Sequence, residues 1–180
     1  MFTKNTFKLN RNKGIVFWIT GLSGSGKTTI SKIIHKDVVK KFGPTIIISG
    51  DELREIFKLK GYGKKERLKI GVSYSKICKL ITKTKVNVII ATVGLFHELH
   101  KYNRKTLTNY VEIFIQSKIH KLIKNKKKIF YKRKTQNVWG IDIKPEFPKK
   151  PHIKVINNFK KSKKDVSLNV YKKIVKLIGN

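Results

Sequence analysis

One glycine-rich run limits what this chain can fold into more than any other feature. The run that matches the pattern G-x-x-x-x-G-K-[ST] in full is Gly21-Leu22-Ser23-Gly24-Ser25-Gly26-Lys27-Thr28. A continuous apolar run at residues 15–19 precedes it, and residues 27–41 follow it with apolar side chains at helical spacing. A buried strand, a glycine-rich turn and a helix in this order predict a loop that wraps around phosphate groups.

The residue types of this loop suit a nucleoside triphosphate. Its glycines let successive N–H groups point at phosphate oxygens, and the start of the next helix adds a positive dipole end. We expect Lys27 to reach the β- and γ-phosphates and the Thr28 hydroxyl to bind Mg²⁺. The predicted nucleotide-binding residues are Gly21, Leu22, Ser23, Gly24, Ser25, Gly26, Lys27, Thr28 and Thr29.

Predicted strands and helices alternate along the chain. The runs that indicate strands are residues 15–19, 45–48, 86–93, 111–115 and 152–156. The runs that indicate helices are residues 27–41, 51–59, 66–82 and 167–178. This order predicts an α/β protein with the P-loop NTPase fold, a parallel sheet with helices on both faces.

The length of 180 residues suits one domain with one sizeable core. Residues 1–13 are polar and basic without a clear period, so we expect a flexible basic arm there. Residues 14–180 are then a single P-loop domain. Its segment from about 118 to 134 is dense in lysine, and we expect a mobile, exposed lid over the phosphates.

The charge is strongly positive, with 43 Lys and Arg against 10 Asp and Glu, for a formal net charge of +33. Such a charge excludes an acidic scaffold and makes nucleic acid the first partner to consider. However, only 5 of the basic residues are Arg, the residue that phosphate readers favour, and no nucleic-acid-reading module is recognisable. We therefore interpret much of the charge as compositional bias on solvated faces, and nucleic acid as an unfavoured partner.

Cysteine and hydropathy indicate a cytoplasmic protein. The single cysteine, Cys78, has no second thiol for an internal disulfide, and its place between helical apolar positions predicts a core residue. The longest early apolar run is far shorter than the roughly 20 residues that cross a bilayer. We expect neither a signal peptide nor a membrane span.

An acidic residue, Asp51, follows the second predicted strand. The carboxyl ends of parallel strands share one edge of the sheet, so Asp51 lies on the edge that carries the phosphate loop. A carboxylate there can orient an acceptor hydroxyl or take its proton. Two other roles stay open for Asp51, a ligand to a Mg²⁺-bound water and a plain helix N-cap.

Several segments together resemble the adenylyl-sulfate (APS) kinases. The segments that carry the resemblance, within about residues 14–158, are Phe17–Thr29, Ser49–Arg54, Gly61–Gly63 with Arg67, and Asn137–Asp142 with Glu146 and Pro148. Enzymes of this family transfer the γ-phosphate of ATP, with Mg²⁺, to the ribose 3′-hydroxyl of adenylyl sulfate to give PAPS. The resemblance therefore implies an ATP-dependent kinase for an anionic nucleotide, and a possible homodimer.

The resemblance also implies roles for single residues. Asp51 matches the family's proposed base, Arg54 and Arg67 match arginines that grip the acceptor, and Tyr62 matches an aromatic residue that stacks on its base. The matching lid lysines are Lys127 and Lys132. Trp139 lies beside the position of a second stacking aromatic, which here is Val138; packing and stacking both stay open for this tryptophan.

The chain departs from the family pattern at the acceptor side and in the lid. Ile70 replaces an acceptor-contacting Asn, Gly94 replaces a serine that is phosphorylated in some members, and the lid pattern is eroded. Leu95–Arg104 resembles a divergent branch that phosphorylates cytidine diphosphoramidate, again at a ribose 3′-hydroxyl. Within this segment, Arg104 is expected either to reach substrate or to pair with Glu98.

Four functions follow from these observations. An adenylyl-sulfate kinase fits the resemblance best, and a cytidine diphosphoramidate kinase, of the kind found near surface-polysaccharide genes, is its main alternative. A nucleic-acid-binding P-loop ATPase would use the basic surface. A decayed kinase would bind nucleotide but turn over poorly, because lid and acceptor motifs have both changed.

Overall fold

The computed structural model describes residues 7–124 and 137–179. The lid lysines Lys127 and Lys132 lie outside the described residues. The strands are β1 (Val16–Thr20), β2 (Thr45–Ser49), β3 (Asn87–Ala91), β4 (Tyr110–Gln116) and β5 (Ile153–Ile156). The helices are α1 (Lys27–Phe42), α2 (Gly50–Ile56), α3 (Lys64–Thr82), α4 (His97–Thr106), α5 (Ile119–Lys124) and α6 (Lys163–Ile178).

The five strands form one parallel sheet in the order β2-β3-β1-β4-β5. The central strand β1 is buried along its whole length, as its unbroken apolar run predicts. Because all strands run in the same direction, the segments that follow β1, β2 and β3 meet at one edge. The predicted α/β class and parallel sheet are confirmed.

Side chains of the sheet alternate between two cores. Phe17 and Ile19 of β1 face a core with α1 and α6, whereas Val16 and Trp18 face a core with α3 and α4. The two helical layers therefore cover opposite faces of the sheet. The cysteine, Cys78, is fully buried in the second core, as predicted.

Two predicted helices and the predicted lid differ most in extent from the structure. Helix α2 ends at Ile56, because the next residues turn through Lys58, whose φ is 48°. Helix α6 begins at Lys163, because the Ser162 hydroxyl accepts the Asp165 N–H at 3.1 Å and caps it. Residues 119–124 of the predicted mobile lid form α5 and bury Leu122, an apolar residue between lysines.

The described part of the predicted arm is attached to the domain. Asn10 and Asn109 exchange two hydrogen bonds, from the Asn10 N–H at 2.9 Å and to the Asn10 carbonyl at 2.8 Å. The ring of Phe7 packs edge-on against His152 at 5.6 Å between centroids. The polar composition of the arm hid these contacts, which are made by single side chains. The described residues include no helix long and apolar enough to cross a membrane.

Candidate active site

The glycine-rich loop joins β1 to α1 in a conformation that its glycines permit. Gly21, Gly24 and Gly26 have φ of 150°, 79° and 98°. At Gly21 a Cβ would lie 2.4 Å from the Ile115 carbonyl oxygen, so the loop passes too close to β4 for any side chain. The backbone therefore needs glycine here both for its angles and for its close approach.

The loop offers donors to an anion. Lys27 is buried, and its Nζ donates to the Leu22 carbonyl at 2.9 Å, which holds the ammonium group across the loop. In the part of the chain that the structure describes, no side chain caps the start of α1, and the buried Ser25 hydroxyl has no hydrogen-bond partner. These orphan donors beside a lysine fit the phosphates of a nucleotide.

Asn157, which follows β5, supports the phosphate loop through its side chain. The Asn157 side-chain amide donates to the Ser25 carbonyl at 3.0 Å, and its oxygen accepts the Phe159 N–H at 3.1 Å. A groove of about 280 Å³ runs from Gly26 along Asn157 to Lys163. Sequence reasoning missed Asn157, since it is far from the motif in the chain and no pattern marks it.

A larger cleft of about 900 Å³ opens on the other side of the loop. It reaches from Ser23 of the loop to Trp139. Its other lining residues come from four segments: Gly50, Asp51, Arg54, Glu55, Lys58, Leu59, Lys60, Tyr62, Arg67, Ile70, Gly71, Tyr74, Thr92, Val93, Gly94, Phe96, Asn137 and Val138. All four residues predicted to activate or bind an acceptor thus line one cleft next to the phosphate loop.

Asp51 stands in the first turn of α2, exposed at the wall of this cleft. The N-cap of α2 is Ser49, whose hydroxyl accepts the Glu52 N–H at 3.5 Å. The N-cap role left open for Asp51 is therefore wrong, because the helix begins one residue earlier than its sequence indicates.

Two arginines and a tyrosine form a stack in the cleft. The Arg54 and Arg67 guanidinium carbons lie 4.7 Å and 5.3 Å from the centroid of the Tyr62 ring. Arg54 donates to the Leu59 and Gly61 carbonyls at 2.9 Å and 3.0 Å. Burial and the charge of Arg54 lower the pKa of Arg67 from its ordinary value. Two cations held this close together form a strong site for an anion.

A tight turn closes the far wall of the cleft. The Asp142 carboxylate accepts the N–H groups of Asn137 and Val138, and the Asn137 carbonyl accepts from Arg67. Desolvation raises the pKa of Asp142, but these hydrogen bonds and the charge of Arg67 outweigh it and lower the pKa. Sequence reasoning assigned Asp142 no role, although it lies in a quoted motif. Trp139 is buried, edge-on to Phe96 at 4.8 Å, so it packs and still lines the cleft.

The segment Leu95–Arg104 forms most of α4, a helix that the strand and helix pattern missed. Its first N–H, of His97, donates at 2.8 Å to Glu146, which lies in a distant loop. Further on, His100 and Arg104 both contact Glu112, a fully buried residue of β4. Arg104 therefore pairs with Glu112 rather than with Glu98, because α4 packs against β4 through this side of the helix.

The comparison with protein families identifies the chain. A family model described as Adenylylsulphate kinase matches residues 13–156, most of the chain. The chain belongs to the adenylylsulphate kinase family. The match includes the phosphate loop, the larger cleft and all five strands, so the resemblance inferred from the sequence is confirmed.

Members of the family that resemble this chain differ in their named acceptors. A cytidine diphosphoramidate kinase of Campylobacter jejuni is 38% identical over 82% of this chain and 88% of its own length. An adenylyl-sulfate kinase of Clostridium acetobutylicum is 32% identical over 84% of this chain and 79% of its own length. The chain is thus a phosphotransferase of this family, with ATP and a nucleotide as substrates.

A solved structure confirms the family fold. The APS kinase of Mycobacterium tuberculosis, in complex with AMPPNP and APS, superposes with a TM-score of 0.81. The superposition covers 90% of this chain and 98% of the other, at 20% identity. The predicted P-loop fold with helices on both faces of the sheet is therefore correct.

Proposed function

We propose that this protein transfers the γ-phosphate of ATP to the ribose 3′-hydroxyl of cytidine diphosphoramidate. The observation that carries the proposal is the cleft that joins Ser23 of the phosphate loop to Asp51, Arg54 and Arg67. An acceptor nucleotide in this cleft has its hydroxyl near the end of the triphosphate, with cations for its own phosphates. The cleft and the loop thus provide for both substrates of a kinase.

On the donor side, the loop binds the triphosphate through its N–H groups, and Lys27 stabilises the charge of the β- and γ-phosphates. The Thr28 hydroxyl, at the start of α1, would hold Mg²⁺, which supplies charge neutralisation between the phosphates. The groove beside Asn157 accommodates the rest of the nucleotide.

On the acceptor side, Asp51 orients the hydroxyl and accepts its proton. Arg54 and Arg67 bind the two acidic groups of the acceptor, and the Tyr62 ring contacts its base. Because the Tyr62 ring and backbone carbonyls hold both guanidinium groups in place before substrate arrives, little reorganisation is needed when the anion binds. Water is excluded by the acceptor itself and by the closed far wall at Trp139.

The choice of acceptor depends on the relatives and on Ile70. The relative that acts on cytidine diphosphoramidate shares 38% of aligned residues, and it aligns over most of its length. Ile70 lines the cleft, where the adenylyl-sulfate kinases carry an acceptor-contacting Asn. Adenylyl sulfate is the second candidate, because the family model and many of the relatives carry its name.

The test is an ADP-release assay with Mg-ATP and one acceptor at a time. The acceptors are cytidine diphosphoramidate, adenylyl sulfate, a single-stranded oligonucleotide and none. Asp51→Asn tests the base, and Glu52→Gln, the next carboxylate on the same helix but outside the cleft lining, is the matched control. Light scattering of the same preparation measures whether the chain is the homodimer that the resemblance implies.

Turnover with the cytidine compound, lost in Asp51→Asn and kept in Glu52→Gln, supports the proposal. Turnover with adenylyl sulfate alone assigns the second candidate and shows that Ile70 is tolerated. Stimulation by the oligonucleotide alone would contradict a small-molecule acceptor. ATP binding without any turnover would indicate the decayed kinase.

A further inference from the structure

A buried tyrosine hydroxyl contacts the first residue of α2. Tyr74 lies on α3 with 3% of its surface exposed, and its hydroxyl donates to the Gly50 carbonyl at 2.8 Å. The same side chain lines the acceptor cleft. Gly50 directly precedes Asp51, so the hydrogen bond links α3 to the backbone that carries the proposed base.

Gly50 is held tightly between two other elements. A Cβ at Gly50 would lie 2.9 Å from the Thr92 hydroxyl oxygen and 3.3 Å from Cε2 of Tyr74. Thr92 directly follows β3, and Tyr74 belongs to α3. The start of α2 therefore fits into a space between the end of β3 and α3, and only glycine fits there without displacement.

Helix α2 needs these tertiary contacts. It has only 7 residues, too few for a helix to be stable by itself, and its own cap, the Ser49 hydroxyl, accepts at a long 3.5 Å. Its last residue, Ile56, and its C-cap, Phe57, are exposed. The bond from Tyr74 is therefore a main constraint on where the first turn of α2 lies.

The Tyr74 hydroxyl remains protonated, so it can always donate this hydrogen bond. Burial raises the pKa of Tyr74, and the charge of Asp51 raises it too, whereas Arg54 lowers it. The hydroxyl thus keeps its proton throughout the pH range in which a carboxylate base works.

We propose that Tyr74 is a positioning residue that fixes the first turn of α2 and so places Asp51 against the acceptor hydroxyl. This inference rests on the proposed function of Asp51. Tyr74 itself transfers no proton. Its loss moves the base relative to the phosphate loop but leaves the loop intact, so it slows the chemical step more than it weakens ATP binding.

The test compares Tyr74→Phe with Tyr110→Phe. Tyr110 is the control, because it is also buried and lies away from the cleft lining; its hydroxyl donates to Glu112 at 3.0 Å and accepts from the Asn103 amide at 3.4 Å. Both variants keep the ring, and Tyr110→Phe, which loses two hydrogen bonds, is expected to lower the melting temperature at least as much as Tyr74→Phe. We expect kcat to fall on the order of 10-fold in Tyr74→Phe alone, with the KM for ATP within twofold of wild type.

A second variant and a second measurement separate this inference from the proposed function. Gly50→Ala displaces the same turn with the Tyr74 hydroxyl intact, and we expect the same selective loss of kcat. Hydrogen exchange without substrates measures α2 directly, and its N–H groups should exchange faster in Tyr74→Phe than in wild type or Tyr110→Phe.

The outcomes are distinct. If the wild-type protein phosphorylates no acceptor, the proposed function fails, and the exchange of α2 still decides whether Tyr74 fixes this helix. If α2 exchanges at the same rate in Tyr74→Phe and wild type, or if Tyr110→Phe loses as much kcat, the inference about Tyr74 is overturned.

Discussion

The phosphate loop and the acceptor cleft are built in opposite ways. The loop is a run of eight consecutive residues, and most of its predicted contacts come from backbone N–H groups and one lysine. The cleft is lined by side chains from residues as far apart as Asp51 and Trp139, which several different helices and turns bring together. The loop therefore depends on local backbone geometry, whereas the cleft depends on how several elements pack.

We call the phosphate loop the donor half of the site and the cleft its acceptor half. This difference suggests that a mutation can impair one half and leave the other unchanged. A change in the loop should affect the reaction with every acceptor, because all acceptors share one donor. A change in the cleft should alter the use of the acceptor and leave ATP binding unchanged. The following predictions test this separation.

The largest effect is expected at Lys27. Lys27→Gln removes the buried ammonium that we propose stabilises the phosphates, and kcat/KM should fall on the order of 10³-fold with any acceptor. Steady-state kinetics with two acceptors measure this. Lys32→Gln, an exposed lysine of the same helix, is the control and should match wild type. A loss with one acceptor only would contradict the shared donor site.

Glu112 should stabilise the whole fold, and with it both halves of the site. Glu112→Gln leaves His100 and Arg104 without a buried anion, and we expect the free energy of unfolding to fall by about 3 kcal/mol. The KM for ATP and the KM for the acceptor should not change independently of one another. Denaturant unfolding checks the first result and kinetics the second; a selective rise in one KM would show that Glu112 acts on one half.

The same residue predicts a pH dependence. Burial alone would raise the pKa of Glu112, but the contacts with His100, Arg104 and Tyr110 lower it overall. Because the folded-state pKa lies below the unfolded one, this stabilisation is present above about pH 4.3 and is lost as the pH falls through the folded-state pKa. Unfolding curves from pH 6 to 3 should therefore fall more steeply for wild type than for Glu112→Gln.

A smaller effect is expected at Arg67. Arg67→Lys keeps the charge but loses the planar fork that donates to Tyr62 and Asn137, so the acceptor KM should rise about 10-fold. The KM for ATP should stay the same. Arg11→Lys, in the exposed arm, is the control. An equal rise in both KM values would argue against separate halves.

The smallest effects are expected at two residues that support the site through hydrogen bonds, Asn157 in the donor half and Asp142 in the acceptor half. Asn157→Ala removes the bond to the Ser25 carbonyl and should raise the KM for ATP about fivefold. Asp142→Asn weakens the turn that receives Arg67 and should raise the acceptor KM by a few-fold. Kinetics with each substrate varied in turn measure both KM values for both variants. A higher acceptor KM in Asn157→Ala, or a higher KM for ATP in Asp142→Asn, would contradict the separation of the two halves.

The sequence predicted the strand, glycine-rich loop and helix of the donor half well, because the motif is contiguous and depends on backbone geometry. It also placed Asp51 at the edge of the sheet that carries the loop, from its position after the second strand, whereas the roles of Arg54, Tyr62 and Arg67 came only through the family resemblance. Residues that act through packing carried no such signal. Asn157, Asp142 and Tyr74 became visible only when the fold brought them against the loop, Arg67 and Gly50.

The prediction of helix boundaries was limited in the same way, because packing decides them. The start of α2 depends on the space between Thr92 and Tyr74, which lie 18 residues apart in the chain, so local propensity placed it late. Helix α4 was missed because its buried side is mostly polar: beside Leu99 it carries His100 and Asn103, which bond to partners on other elements. A polar buried face cannot be distinguished from a solvated one by hydrophobic periodicity.

The most direct test of the whole account is the structure of the product. Wild-type protein is incubated with Mg-ATP and cytidine diphosphoramidate, and the product is analysed by mass spectrometry and phosphorus NMR. The account predicts one added phosphate on the ribose 3′-oxygen and an equal amount of ADP. A phosphate at another position, or ADP released without a phosphorylated nucleotide, would contradict it.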